Sequence, residues 1–213
     1  MKLYTYFRSS AAYRVRIALQ LKGLPFEAVP VHLLKDGGEQ RAASYRAINP
    51  SALLPTLELD DAVLTQSLAI IEYLDETHRA APLLPPDALG RARARALAQL
   101  VACDIHPLNN LRVLRYLADN FAFDAAAKAA WYRHWVSEGL AAFEQTLAAA
   151  APSAFCVGEA PGIADCCLVP QLYNARRFDV DLGAWPLIAA IDARCAALPA
   201  FQLAHPERQA DAE

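Results

Sequence analysis

No stretch of the 213-residue sequence approaches the ~20 consecutive apolar residues that cross a bilayer. The opening residues, from Met1 through Phe7-Arg8-Ser9-Ser10, hold no apolar run of signal-peptide length. These two absences lead to the expectation of a cytoplasmic protein with no membrane partner. Charge of one sign is also lacking: 20 Lys and Arg against 23 Asp and Glu leave a net charge of −3. Phosphate backbones and anionic lipid are drawn by clustered positive charge, so nucleic acid is not an expected partner. A Cys-x-x-Cys pair is missing. The five cysteines (Cys103, Cys156, Cys166, Cys167, Cys195) are an odd set, which argues against a disulfide framework and a dithiol redox centre and reads as reduced thiols. Cys103 and His106 stand three apart but have no second pair at ligand spacing, so packing accounts for them and no metal is expected.

A chain of this length forms one large domain or two small ones. By area scaling about 70% of its unfolded surface can be buried, enough for a core without disulfides or metal. Composition shifts once. The first ~80 residues alternate β-rich runs with amphipathic stretches, and the remainder is rich in Ala and Leu with helical periodicity. Between them lies Arg79-Ala-Ala-Pro-Leu-Leu-Pro-Pro-Asp87, whose prolines fix φ and remove donors. The expected domains are therefore 1–80 and 87–213. In the first, strands are expected over Lys2 to Phe7, Phe26 to Val31, Leu54 to Leu57 and Ala62 to Leu64. Helices are expected over Ser10 to Lys22, more weakly over Gly38 to Ala47, and over Gln66 to Thr77, in the order βαβα then ββα. The second reads as a helical bundle, with helices from Asp87 to about Asn120, Ala125 to Ala149, Ile163 to Arg177 and Pro186 to Ala197. Gly162 with Asp165 three residues on marks the start of the third.

The sharpest local feature is Phe7-Arg8-Ser9-Ser10-Ala11-Ala12-Tyr13-Arg14-Val15-Arg16, a strand running into two serines at a helix start. Orphan N–H groups and the helix dipole favour an anion there. Serine in that place is most often only a cap, yet a hydroxyl there equally serves a bound thiolate. The segment has no cysteine, so such a thiolate arrives on a ligand, with its pKa lowered by the helix end. Gln66-Ser67, at another helix start, offers a second amide-rich site. Pro55 after Leu54 has the placement of a cis-proline. His106, Asn109 and Asn110 share a face at i, i+3 and i+4, beside a kink expected from Pro107. A kink beside a polar cluster suggests a cavity wall, but an exposed polar face is the simpler account. Arg176 and Arg177 complement a helix C-terminus.

Together YFRSSAAYRVRIAL, INPSALLPTL, QSLAIIEYLDE, DIHPLNNLRVL, ADCCLVPQ and NARRFDVDL resemble the zeta-class glutathione transferases, a family that includes maleylacetoacetate isomerases and bacterial maleylpyruvate isomerases. The resemblance spans nearly the whole chain. It implies a thioredoxin-like α/β domain that binds glutathione, an all-helical domain that completes the substrate site, and a homodimer. The implied activity is glutathione-dependent cis–trans isomerisation of a small dicarboxylate, maleylacetoacetate to fumarylacetoacetate, in aromatic amino-acid (tyrosine) breakdown. Alternatives are maleylpyruvate isomerisation, a broader transferase or dehalogenase, and a non-catalytic binding protein. By the same resemblance Ser9 and Ser10 stabilise the glutathione thiolate, Gln66 and Ser67 hold the γ-glutamyl group, Leu54 meets the cysteinyl part and Gln40 the glycine end. His106, Asn110, Leu111 and Arg112 fall where the second domain reaches cofactor and substrate. Arg8 and Arg177 pair with substrate carboxylates. Ala11 departs from the cysteine found in many members. Leu111 resembles the maleylacetoacetate enzymes, the maleylpyruvate enzyme having arginine there.

Overall fold

Exposure alternates along Lys2–Thr5 as exposed, buried, half-buried, buried, which is the signature of a strand with one face on a core. The computed structural model describes residues 1–213, and its chain divides into two units, Met1–Leu83 with Ala196–Glu213, and Leu84–Cys195. In the first, β1 (Lys2–Thr5), α1 (Ser10–Leu21) and β2 (Glu27–Pro30) are followed by α2 (Ala43–Ile48), β3 (Thr56–Glu58), β4 (Val63–Thr65) and α3 (Ser67–Thr77). The sheet order is β2-β1-β3-β4, with β1 parallel to β2 and the other pairs antiparallel. Leu3 lies opposite Leu57, and both are fully buried along with Val15, Ile17, Leu19, Ile70, Ile71 and Leu74. The βαβ then ββα order is thioredoxin-like. The helix expected over Gly38 to Ala47 is shorter: Lys35–Gly37 and Glu39–Arg41 are 3-10 turns, because Gly38 at φ +112 interrupts helical geometry before α2 begins.

Two buried cations tie this unit together. Lys22, with its side chain fully buried, pairs with Asp75 at 2.8 Å and donates to the carbonyls of His78, Ala80 and Ala81. Asp75 also accepts the N–H of Leu83, so the exit from α3 is held at several points. Arg16, at 0% exposure, lies over the Tyr13 ring and donates to Thr5 Oγ1, to the Tyr6 and Phe7 carbonyls and to Ala204 O. That last bond belongs to α9 (Pro199–Ala204), a helix with no counterpart in the expected elements, which buries Phe201 and Ala204. The second domain expected over 87–213 thus differs at its end, since Ala196–Glu213 belongs with the first unit. The short α9 has proline at its start and no charged residue to mark its outer face.

The second unit is helical: α4 (Ala88–Gln99), α5 (Leu111–Phe121), α6 (Ala125–Ala148), α7 (Ile163–Arg177) and α8 (Pro186–Ala196). The single helix expected from Asp87 to Asn120 is in fact broken. Pro107 has no N–H to give the Cys103 carbonyl. Before it the chain widens to a π-segment over Leu100–Ile105, with His106 N–H bonded back to Val101 O, and after it tightens to a 3-10 turn over Pro107–Asn109. Asn110 then caps α5, its Oδ1 accepting from Arg112 N–H at 3.1 Å. The widened segment presses on α6 at Gly139, where a Cβ would sit 2.2 Å from Ile105 Cγ1. Asp165 opens α7, accepting from the N–H groups of Gly162 at 2.8 Å and Cys156 at 3.0 Å. Burial pushes its carboxyl above the usual range, against the pull of those amides.

Gly139→Ala is expected to lower unfolding stability by about 1–3 kcal/mol, because the added methyl overlaps Ile105. The urea midpoint reads the effect. An unchanged midpoint would mean that the π-segment yields freely.

Candidate functional site

The turn from β1 into α1 is set from behind. Arg16 holds the Tyr6 and Phe7 carbonyls, and the Phe7 N–H donates to Asp211 Oδ2 at 2.9 Å. Ser9 is the cap of α1: its N–H reaches Tyr6 O at 2.9 Å, its carbonyl accepts from Tyr13, and its Oγ accepts from Ala12 N–H at 3.2 Å. Ser9 and Ser10 are both buried. A hydroxyl has one proton and two lone pairs, so an Oγ that accepts from the backbone keeps its proton to donate. The first turn of α1 has no acidic side chain, which leaves the positive helix end to an incoming anion. Arg8 is half-buried with its guanidinium 4.8 Å from the Phe7 ring centroid.

Four further predicted positions lie in the same unit, in loops, in a 3-10 turn and at a helix start. The Leu54–Pro55 bond is cis, as its placement predicted, and Leu54 is buried. Asn49 Nδ2 and Tyr45 Oη both donate to Leu53 O, at 2.9 and 2.7 Å, which fixes this loop before β3. Gln66 precedes α3 at φ +70, ψ +116, a backbone conformation sparsely populated by side-chain-bearing residues. Ser67, the first residue of α3, is buried, and Arg14 Nη1 lies 3.2 Å from its Oγ. Gln40 is buried with Oε1 lacking any partner, an acceptor held out of water beside a turn in which only glycine fits at 38.

In the second unit the break at Pro107 separates residues that a continuous helix would align. His106 and Asn110 meet, with Nε2 and Nδ2 3.2 Å apart. Asn109 instead turns inward, its Nδ2 to Ile105 O and its Oδ1 without a partner. Leu111 is half-buried and Arg112 exposed at the start of α5. Arg177 is exposed at the end of α7, whereas Arg176 forms an ion pair with Asp192 in addition to completing the helix end. Tyr132 stacks on Phe178 at 3.6 Å between centroids; burial pushes its hydroxyl pKa up, and the charge of Arg177 and a hydrogen bond with Gln171 oppose that shift. Burial likewise pushes up the thiols of Cys156, Cys166 and Cys195, so none of them supplies a thiolate near neutral pH.

Arg14, Arg16 and Asp211 were absent from the residues picked out by sequence. The two arginines did leave a signal: they interrupt an apolar run, Val15 and Ile17 to Leu19, which points to a largely apolar helix face. Asp211 left none, being brought to Phe7 across 204 residues of chain.

The sequence and fold are similar to those of known proteins. Residues 3–82 match the glutathione S-transferase N-terminal domain. The maleylacetoacetate isomerase of Rhizobium meliloti is 53% identical over 206 residues, 97% of this chain and 96% of that one. A Ralstonia maleylpyruvate isomerase is 49% identical over 99% of each chain. Among solved structures, a bacterial zeta-class maleyl pyruvate isomerase in its holo form superposes with TM-score 0.97 at 48% identity over the full length of both chains. The maleylacetoacetate isomerase of Methylobacterium extorquens AM1, with bound malonate and GSH, superposes at 0.96 with 42% identity, again over both full lengths.

The backbone at Gln66 yields a stability test. Gln66→Gly is expected to raise the midpoint of thermal unfolding, by about 1 kcal/mol of stability, whereas Gln66→Ala leaves the strain in place. Equal midpoints for the two variants would show that the conformation carries no strain.

Proposed function

This chain belongs to the glutathione S-transferase family, in its zeta class, and we propose that it is a glutathione-dependent cis–trans isomerase converting maleylacetoacetate to fumarylacetoacetate. The observation that carries the mechanism is Ser9: a buried hydroxyl, oriented by Ala12 N–H to donate, at a helix start with no acidic neighbour. The other residues of the first unit fit a tripeptide thiol. The amide-rich start of α3, with Ser67, suits the γ-glutamyl carboxylate. The backbone of Leu54 suits the cysteinyl part, and the unpartnered Oε1 of Gln40 suits a donor near the glycine end. Bound there, glutathione supplies a nucleophilic sulfur whose reversible addition frees the cis double bond to rotate.

The residues of this chain supply what that addition needs. Ser9, with Ser10 beside it, donates to the sulfur and with the dipole of α1 favours its anionic form at neutral pH. Arg8 and Arg177 neutralise the substrate carboxylates, and His106 and Arg112 offer donors where negative charge grows in the transition state. Asn110 orients His106 through their 3.2 Å contact. In this proposal residues 1–80 bind glutathione and the helices within 87–213 bind substrate, the segment from Ala196 onward packing with the first unit. A cytoplasmic homodimer accords with the class, and no helix is long and apolar enough to cross a membrane. A second reading, maleylpyruvate as substrate, is favoured by the 0.97 superposition on an isomerase of that name. Leu111 favours maleylacetoacetate.

Two experiments test the proposal. Loss of the maleyl chromophore is followed with and without glutathione. Ser9→Ala is expected to lower turnover by about 100-fold, beyond its capping cost of about 1 kcal/mol, and Ser9→Thr to retain most activity. Full turnover in Ser9→Ala, or equal rates without glutathione, would sink the scheme. Competition between the two maleyl substrates at equal concentration then decides the substrate. Leu111→Arg is expected to shift the ratio of kcat/KM values towards maleylpyruvate by about tenfold, one charge-assisted hydrogen bond's worth. An unmoved ratio removes Leu111 from the specificity argument.

A further inference from the structure

We infer that Arg14 is a positioning residue for glutathione, acting through Ser67 by fixing that hydroxyl as a donor to the γ-glutamyl carboxylate. The inference deepens the proposed use of Ser67 and rests on it. Arg14 is 3% exposed and lies one turn into α1, with Nη1 3.2 Å from Ser67 Oγ at the start of α3. Guanidinium has donors only, so Ser67 Oγ accepts, and one of its two lone pairs is taken. The hydroxyl proton is left to donate elsewhere. Such a bond from a charged donor also polarises the O–H, which strengthens what it gives to an anion.

The surroundings point the same way. Ser67 sits at the N-terminal end of an 11-residue helix that has no acidic residue in its first turn, and Gln66 makes no side-chain cap there. A carboxylate at this end would meet backbone N–H groups, the Ser67 hydroxyl and, behind that hydroxyl, the buried charge of Arg14. Arg14 belongs to the same helix that Ser9 caps. One side chain therefore links the helix start proposed for the sulfur to the helix start proposed for the γ-glutamyl end.

The test compares binding of glutathione with binding of cysteinylglycine, which lacks the γ-glutamyl group, by the natural chain, Arg14→Met, Arg14→Lys, Ser67→Ala and the Arg14→Met/Ser67→Ala double variant. Arg14→Met is expected to weaken glutathione about tenfold, leave cysteinylglycine unchanged, and add nothing to the loss in Ser67→Ala. Arg14→Lys, which keeps the charge and the single donor that Ser67 accepts, is expected to recover most of that loss. It also serves as the informative variant if Arg14→Met does not fold. Equal weakening of both ligands, or additive losses in the double variant, would overturn the role of Arg14. If Ser67→Ala binds glutathione as the natural chain does, the assignment of Ser67 fails first and the inference with it.

Discussion

A guanidinium with no exposure to water organises the half of this protein that carries the proposed chemistry. Arg16 donates to Thr5 Oγ1, the carbonyls of Tyr6 and Phe7 and the carbonyl of Ala204. Removing such a charge from water carries a penalty of several kcal/mol, and the cation keeps it only because acceptors surround it. Three of those acceptors belong to the end of β1 and the turn after it, and the fourth to α9. The same contacts that satisfy the charge therefore fix the turn on which Arg8, Ser9 and Ser10 stand. They also hold the segment after residue 196 to the first unit, from which Asp211 reaches the Phe7 N–H. Precision at Ser9 follows from burial at Arg16.

Much of this was legible in sequence because it depends on local rules. Period-2 and period-3.6 patterns located the four strands and helices α1 and α3 to within a few residues. The prolines between Ala81 and Asp87 marked the change of composition, and Gly162 with Asp165 marked the start of α7. What escaped depends on contacts far apart in the chain. Nothing local distinguishes Asp211 from any other acidic residue near a chain end. The buried roles of Arg14, Arg16 and Lys22 required knowing which carbonyls and hydroxyls other elements would bring to them. The residues after Ala196 looked like a continuation of a helical domain, and only the approach of Phe201 and Ala204 to α1 assigns them elsewhere.

The break at Pro107 is an intermediate case. A kink was predictable from the missing donor, but its form was not. A π-turn on one side and a 3-10 turn on the other rotate Asn109 into the interior and leave Asn110 facing His106. Three polar residues that a regular helix would present as one stripe thus take different roles, one packed, one capping, one oriented by its neighbour. Gly139 makes room for this widening on α6, so a glycine 34 positions from His106's neighbour Ile105 takes part in shaping the polar corner.

Two of the serines proposed to hold the ligand, Ser9 and Ser67, share a physical arrangement that resolves the apparent rivalry between capping and function. Ser9 accepts from Ala12 N–H, and Ser67 accepts from Arg14. In each case a donor fixed by the fold occupies a lone pair, which leaves the hydroxyl proton for an anion at a helix start. Capping at Ser9 does not compete with the proposed anion binding; it sets the polarity that such binding requires. A serine free to rotate would offer lone pair and proton in turn and would lose part of each interaction to entropy. On the proposed reading the fold contributes to thiolate stabilisation before any ligand arrives, because donors set by the fold need no reorganisation when negative charge develops.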